Sequence, residues 1–296
     1  MYSFKIGTDP EYGILNSKTN SVYPPIALIK FDKINVQFNR THPEHWIFSR
    51  LNNPPTLLHM DGAALELAIK PEKTPEKLWI NLQKGINLAI NTILPFKNLE
   101  LSFLPTLDWD VNEYTIEKYG EEFIYSNRFG CDPDFDAFSD VSNKEQNEED
   151  AEKHPYRYFG GHIHLGVPTD LLDKSKEIPD ILAIICSVFW GNLCTYNSKY
   201  YDAEKLRLYR YGKPGRFRPQ PHGIEYRSPS NSWTTNYDTV KEIFNSANAI
   251  LTAFDNENFG TNILNLSEDT RKAIESFDVE TCKKIYNIAK EMYDLL

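Results

Sequence analysis

Residues 154–168 read HPYRYFGGHIHLGVP. Gly160 and Gly161 lead into His162 and His164, with Ile163 between the histidines and Leu165 after them. The chain holds only seven histidines, so two of them set two residues apart behind a double glycine ask for an explanation. On a β-strand, residues i and i+2 point to one face. The spacing predicts that His162 and His164 project together, apart from Ile163 and Leu165. Glycine in a strand lets a large body come close to the backbone. Two readings stand at this point: a metal or a bound polyanion beside the strand, or two histidines hydrogen-bonded within the core.

The same spacing recurs elsewhere. TDPEYG gives Asp9 and Glu11, GIEYRSP gives Glu225 and Arg227, and LELAI places Glu66 in an otherwise apolar run. A carboxylate buried in an apolar strand is costly unless it is paired or bound to a cation. Glu11, Glu66 and Glu225 in strand-like settings, with one histidine, would form a site for a hard divalent cation. Oxygen-rich ligands with one imidazole favour Mg²⁺ or Mn²⁺. Asp9 reads as a residue behind such a site or as a cap before Pro10, and Asp61 as a turn residue before Gly62.

An arginine run lies close by in sequence. KLRLYRYGKPGRFRPQPHGIEYR holds Arg207, Arg210, Lys213, Arg216, Arg218 and Arg227. Arginine makes forked contacts to phosphate. Divalent metal, carboxylates and several arginines together describe a nucleoside triphosphate site for phosphoryl transfer. Gly212 and Gly215 would allow a loop to close over the phosphates. No GxxxxGK[ST] and no GxGxxG occurs, so the common nucleotide folds are not supported.

Composition sets the frame. The chain has 296 residues, 41% apolar, with a formal net charge of −10, which speaks against a general nucleic-acid surface. Its four cysteines, Cys131, Cys186, Cys194 and Cys282, make no CxxC pair, and a reducing cytoplasm is the expected setting. MYSFKIGTDPEYG lacks the basic start and apolar core of a signal peptide. The longest apolar run, Ile181 to Trp190, reads as a buried helix too short for a bilayer. FKIGTDPEYGIL reads as a strand or hairpin arm with turn signals at Gly7 and Gly13, and HMDGAALELAI as a strand after an Asp61-Gly62 turn. A helix is expected from Pro75 to about Leu94 with Thr74 as N-cap, a buried helix over 178–195, and helices over most of the chain from about 236. The acidic stretch at about 139–155 reads as a solvated loop.

In order and register, these motifs resemble the phage and bacterial carboxylate–amine ligases, or amidoligases, of the glutamine synthetase and glutamate–cysteine ligase superfamily. The family pattern appears as Gly7-Thr8-Asp9-Pro10-Glu11, then Asp61-Gly62 through Glu66, then Cys131-Asp132-Pro133-Asp134-Phe135-Asp136-Ala137. It continues as Gly160 to His164, Tyr211-Gly212 to Arg218, and Gly223 to Trp233, covering residues 5 to about 235. The resemblance implies an α+β fold, a glutamine-synthetase-like curved antiparallel β-sheet with helices packed on the outer face, in a single catalytic domain over 1–296. It implies metal ligands Glu11, Glu66, His162 and Glu225. His164 would face substrate or phosphate, and Arg227, Arg210 and Arg218 would contact the transferring phosphate, with Arg207 and Arg216 as further ATP contacts. The implied reaction is ATP-dependent amide formation through an acyl phosphate, with Mg²⁺ or Mn²⁺.

Asp132, Asp134 and Asp136 are open between holding the amine and forming an acidic turn. Two departures bear on specificity: Asp136 stands where asparagine is expected, and Tyr158-Phe159 where a basic residue often precedes the glycines. His42 and His45, in HPEH, read as surface residues, since Pro43 argues against the helix a zinc motif needs. The competing readings are a metal-dependent hydrolase, which would need more histidines downstream than His222, and an inactive scaffold on the same fold. Expected partners are small-molecule or peptide carboxylates and amines. No membrane is expected, nor nucleic acid except as a modified base, and the chain would be a monomer or homodimer in the cytoplasm, that of the host if phage-encoded.

Overall fold

Lys5–Asn16 (β1) runs twelve residues through Gly7, Pro10 and Gly13 without turning. The two glycines read as turn signals serve packing instead. A β-carbon at Gly13 would lie 2.6 Å from the Phe159 ring, and one at Gly7 3.0 Å from Pro71. Pro10 ends the ladder with its neighbour, opposite Gly161, whose N–H goes to the Pro229 carbonyl at 3.0 Å.

This computed structural model describes residues 3–37, 46–126, 135–139, 151 and 153–296. His42, His45, Cys131, Asp132, Asp134 and the acidic run over 140–150 lie outside the described residues. The remaining strands are Ser21–Val22 (β2), Ile47–Asn52 (β3), Pro55–Asp61 (β4), Ala64–Glu72 (β5), Leu99–Ser102 (β6), Thr106–Asp108 (β7), Phe135–Asp136 (β8), Tyr156–Tyr158 (β9), Gly161–Gly166 (β10), Arg216–Gln220 (β11) and Gly223–Tyr226 (β12). The fold is α+β with one large antiparallel sheet. Its order is β3-β4-β5-β1-β10-β12-β11-β8, with β2 and β6 also on β1, while β7 and β9 pair separately. The turn expected at Asp61-Gly62 joins β4 and β5 as a hairpin, and Gly62 takes φ 55°.

Alternation divides the sheet cleanly. Ile6, Tyr12, Leu65, Leu67, Ile163, Leu165, Phe217, Ile224 and Tyr226 are buried at 0 or 1% exposure and join one hydrophobic core. Helices cover that face. Pro75–Ile93 packs on β4 and β5, and Ile178–Cys186 packs on β11 and β12. Leu78, Leu82, Ile86, Ala89 and Ile93 follow the expected helical spacing into the core. Thr74 caps the first of these helices by accepting from Lys77 N. Thr74→Ala is expected to lower stability by about 1 kcal/mol in urea unfolding.

The apolar segment expected over 178–195 is a continuous helical stretch, Ile178–Asn197, with a π-helical turn at Ser187–Gly191. It is the one helix among the described residues long and apolar enough to cross a membrane by length and composition, and 78% of its most apolar window is buried inside the protein. The π turn seats Ser187 Oγ between Tyr226 Oη, at 3.1 Å, and the Gly215 N–H, at 2.8 Å, which ties this helix to β12. The C-terminal part is helical over Tyr237–Thr252, Glu257–Leu264, Ser267–Glu275 and Val279–Asp294.

Candidate metal centre

The opposite face of the sheet carries the chemistry. Antiparallel register sets directly opposed residues on one face. β1 and β10 pair Asp9 with His162 and Gly7 with His164. β10 and β12 pair His164 with Glu225, and β12 and β11 pair Glu225 with Arg218. β1 and β5 pair Glu11 with Glu66, and β5 and β4 pair Glu66 with His59. Six strands therefore place acidic, imidazole and guanidinium groups in one polar layer.

At its centre, ligand atoms of Asp9, His162 and Glu225 lie within 4.8 Å of one another. His162 Nδ1 is 3.4 Å from Asp9 Oδ1 and 3.4 Å from Glu225 Oε1. His162 Nε2 is 4.0 Å from Glu11 Oε1. Asp9 also reaches His164, with Oδ2 at 3.1 Å from Nε2. Asp9 Oδ1 is buried and, beyond the 3.4 Å approach of His162, accepts no hydrogen bond among the described residues. Two carboxylates and an imidazole converging with an unsatisfied oxygen fit the donor preferences of Mg²⁺ or Mn²⁺.

Arginines approach from the β11–β12 side. Arg227 Nη1 donates to Glu225 Oε1 and lies 3.3 Å from His162 Nδ1. Arg218 Nη1 is 3.5 Å from Glu225 Oε2, which also accepts from Gln220 Nε2 at 2.9 Å. Arg216 pairs with Asp136 at 3.2 Å, so the one described aspartate of the 132–136 motif sits beside an arginine of the run. Arg207 is 4% exposed and donates to the carbonyls of Ser228, at 2.8 Å, and Pro229, at 3.3 Å. Arg210 lies beside the Tyr211 ring, 5.9 Å from its centroid.

The electrostatics follow from crowding. Burial raises the Glu66 carboxyl well above the usual carboxylate range, and Asp61, Asp9 and Glu11 push it further. Burial also raises Glu11, against the pull of His162. Burial works against ionised Asp9 too, but His164 and His162 override it and hold Asp9 well below the ordinary value. Burial opposes a charged Glu225, and Arg227 and His162 outweigh it, so its pKa is lowered. Burial disfavours charged His164, yet Asp9 raises its pKa above that of a free imidazole.

The histidine pair shares one face, and Glu11, Glu66, Glu225 and Arg227 are on that face with it. The central trio, however, includes Asp9 in place of Glu11 and Glu66. Asp9 had the signal that marked Glu11, the i, i+2 spacing, hidden by reading Pro10 as part of a turn. His59 and Asp61 also belong to this neighbourhood: His59 Nε2 is 3.9 Å from Glu66 Oε1, and Asp61 hydrogen-bonds the Glu66 side chain. Their signal was the alternation His59, Asp61 along β4.

The double glycine makes room for a close approach. The body that comes close is the chain itself. A β-carbon at Gly161 would lie 2.8 Å from the Ser230 carbonyl carbon, and Gly160 N donates to Glu11 Oε2 at 2.7 Å. A scan against protein-family models and a search of curated proteins find no match to this chain.

Proposed function

We propose that this protein is an ATP-dependent carboxylate–amine ligase on a glutamine-synthetase-like sheet. The observation that carries the reading is the convergence of Asp9, His162 and Glu225 within 4.8 Å, with Arg227 and Arg218 against Glu225. Cation ligands and phosphate-binding guanidiniums on one sheet face, with helices on the other, suit a bound nucleoside triphosphate. The motif order through residues 5 to 235 supplies the reaction class.

Asp9, His162 and Glu225 would hold a divalent cation, with Glu11 and Glu66 beside them. A bound Mg²⁺ or Mn²⁺ would neutralise phosphate charge. Arg227, Arg218 and His164 would contact the transferring phosphoryl group, whose charge is spread over its outer oxygens. In the first step a substrate carboxylate oxygen bonds to the γ-phosphorus and the bond to the β-phosphate oxygen breaks, giving an acyl phosphate and ADP. In the second, an amine nitrogen bonds to the acyl carbon, the carbon–oxygen bond to phosphate breaks, and a proton leaves the nitrogen. The site's part is to orient the acid and γ-phosphate and offset their mutual repulsion.

One observation favours a second reading, a metal-dependent hydrolase. The His164 and His222 rings are 6.1 Å apart and His59 is close to Glu66, so this face carries more imidazole than HxH alone. Thermal unfolding separates the two. Mn²⁺ with a non-hydrolysable ATP analogue is expected to raise the midpoint beyond Mn²⁺ alone, because a ligand specific to the folded state stabilises it. Glu225→Gln is expected to lose that rise. A midpoint that responds to metal but to no nucleotide would move the hydrolase ahead.

A further inference from the structure

We infer that Glu204 and Arg207 are positioning residues that set the metal centre by gripping the segment Ser228–Ser232. The inference rests on the metal reading above and concerns two side chains that do not touch the cation ligands. Both lie on the short helix Tyr201–Leu208, one turn apart and therefore on the same side. Both are buried, at 8% and 4% exposure.

Apart from Ser198, their partners fall within one short segment. Glu204 Oε1 accepts from the hydroxyls of Ser230, at 2.6 Å, Ser232, at 2.9 Å, and Ser198, at 2.8 Å. Arg207 donates to the carbonyls of Ser228 and Pro229. One turn of helix thus holds Ser228, Pro229, Ser230 and Ser232. The residue it leaves, Asn231, points the other way and donates Nδ2 to the Glu11 carbonyl at 2.8 Å.

From this segment, contacts run straight to the ligand-bearing strands. Gly160 and Ser230 form a β-bridge, and Pro229 O accepts from Gly161 N at 3.0 Å. Trp233 Nε1 donates to Gly161 O at 2.7 Å. Glu11 lies two residues after Asp9 on β1, and Gly161 directly precedes His162 on β10. A shift of the segment would therefore carry the β1 and β10 backbones with it.

The chemistry argues for positioning over bulk stability. Burying a carboxylate and a guanidinium is expensive, and well-packed apolar residues would commonly stabilise as well. Three hydroxyls converging on one oxygen supply direction, which apolar contacts lack. The arrangement also accounts for Arg207, whose guanidinium is committed to backbone carbonyls within the arginine run.

The test is Mn²⁺ affinity of the folded protein, read by the loss of the free-Mn²⁺ electron paramagnetic resonance signal. Glu204→Ala is expected to weaken affinity about tenfold, the lower range for residues supporting metal ligands. The Ser230→Ala/Ser232→Ala double variant removes, from the other side, the two of those three bonds that reach the segment, and should match it. Combining all three should add little, since one interaction is removed twice. Glu204→Gln keeps the accepting oxygen and should bind close to wild type. If Glu204→Ala does not fold, the serine pair decides. Variants that unfold earlier but bind Mn²⁺ with wild-type affinity would show a merely structural role and overturn the inference. A wild type that binds no Mn²⁺ removes the metal reading itself and this inference with it.

Discussion

Replacing Arg227 with methionine is expected to destabilise the protein by about 3–5 kcal/mol, the range for breaking a buried ion pair by removing one partner. Glu225 is 2% exposed, and Arg227 is the guanidinium in direct contact with its Oε1. Without it, Arg218 at 3.5 Å and Gln220 at 2.9 Å both attend the other oxygen, Oε2. Among the described residues, Oε1 would keep His162 Nδ1, at 3.4 Å. Methionine preserves much of the side-chain volume, so the loss reports charge more than a cavity. Urea unfolding measures it. Adding Mn²⁺ should restore part of the stability of Arg227→Met, because a bound cation supplies the missing positive charge. A loss below about 1 kcal/mol, the range of an exposed pair, would mean that Arg227 does not neutralise Glu225.

Asp9→Asn is expected to separate stability from metal binding. Asp9 sits among Glu11, Glu66 and Glu225, and its charge contributes to the raised pKa of Glu66. Removing one negative charge from this layer relieves repulsion, while the contacts to His162 and His164 lose their ionic character. These effects oppose each other, so the unfolding midpoint without metal should move little. Mn²⁺ affinity should fall by more than the about tenfold to hundredfold typical of residues that only support a ligand, since a proposed ligand is itself removed. Titration followed by electron paramagnetic resonance gives the affinity, and calorimetry the midpoint. Unchanged affinity in Asp9→Asn would take Asp9 out of the site.

Much of the fold was legible because its signals were local. Thr74-Pro75 and the apolar spacing behind it marked one helix, and Asp61-Gly62 marked the turn before β5. Alternation set His162 and His164 against Ile163 and Leu165. What failed was local evidence standing in for contacts made far along the chain. Gly13 looked like a turn because its reason, the Phe159 ring, lies 146 residues away in sequence. Arg207 looked like one more phosphate contact because a run of arginines carries no record of which guanidinium faces backbone. Asp9 reads in the sequence as a residue behind the site or a cap before Pro10, yet proline at the end of a ladder leaves a strand intact. Glu204 had no sequence signal at all. Its role depends on three serines, two of which belong to a segment brought to it only by tertiary structure.

The most direct measurement is Mn²⁺ binding to the wild-type chain, followed by electron paramagnetic resonance with and without a non-hydrolysable ATP analogue. The account predicts that the protein removes the free-ion signal at stoichiometric Mn²⁺, that the analogue tightens the binding, and that Asp9→Asn abolishes both effects. Mn²⁺ that stays free beside folded protein, with or without nucleotide, would contradict it.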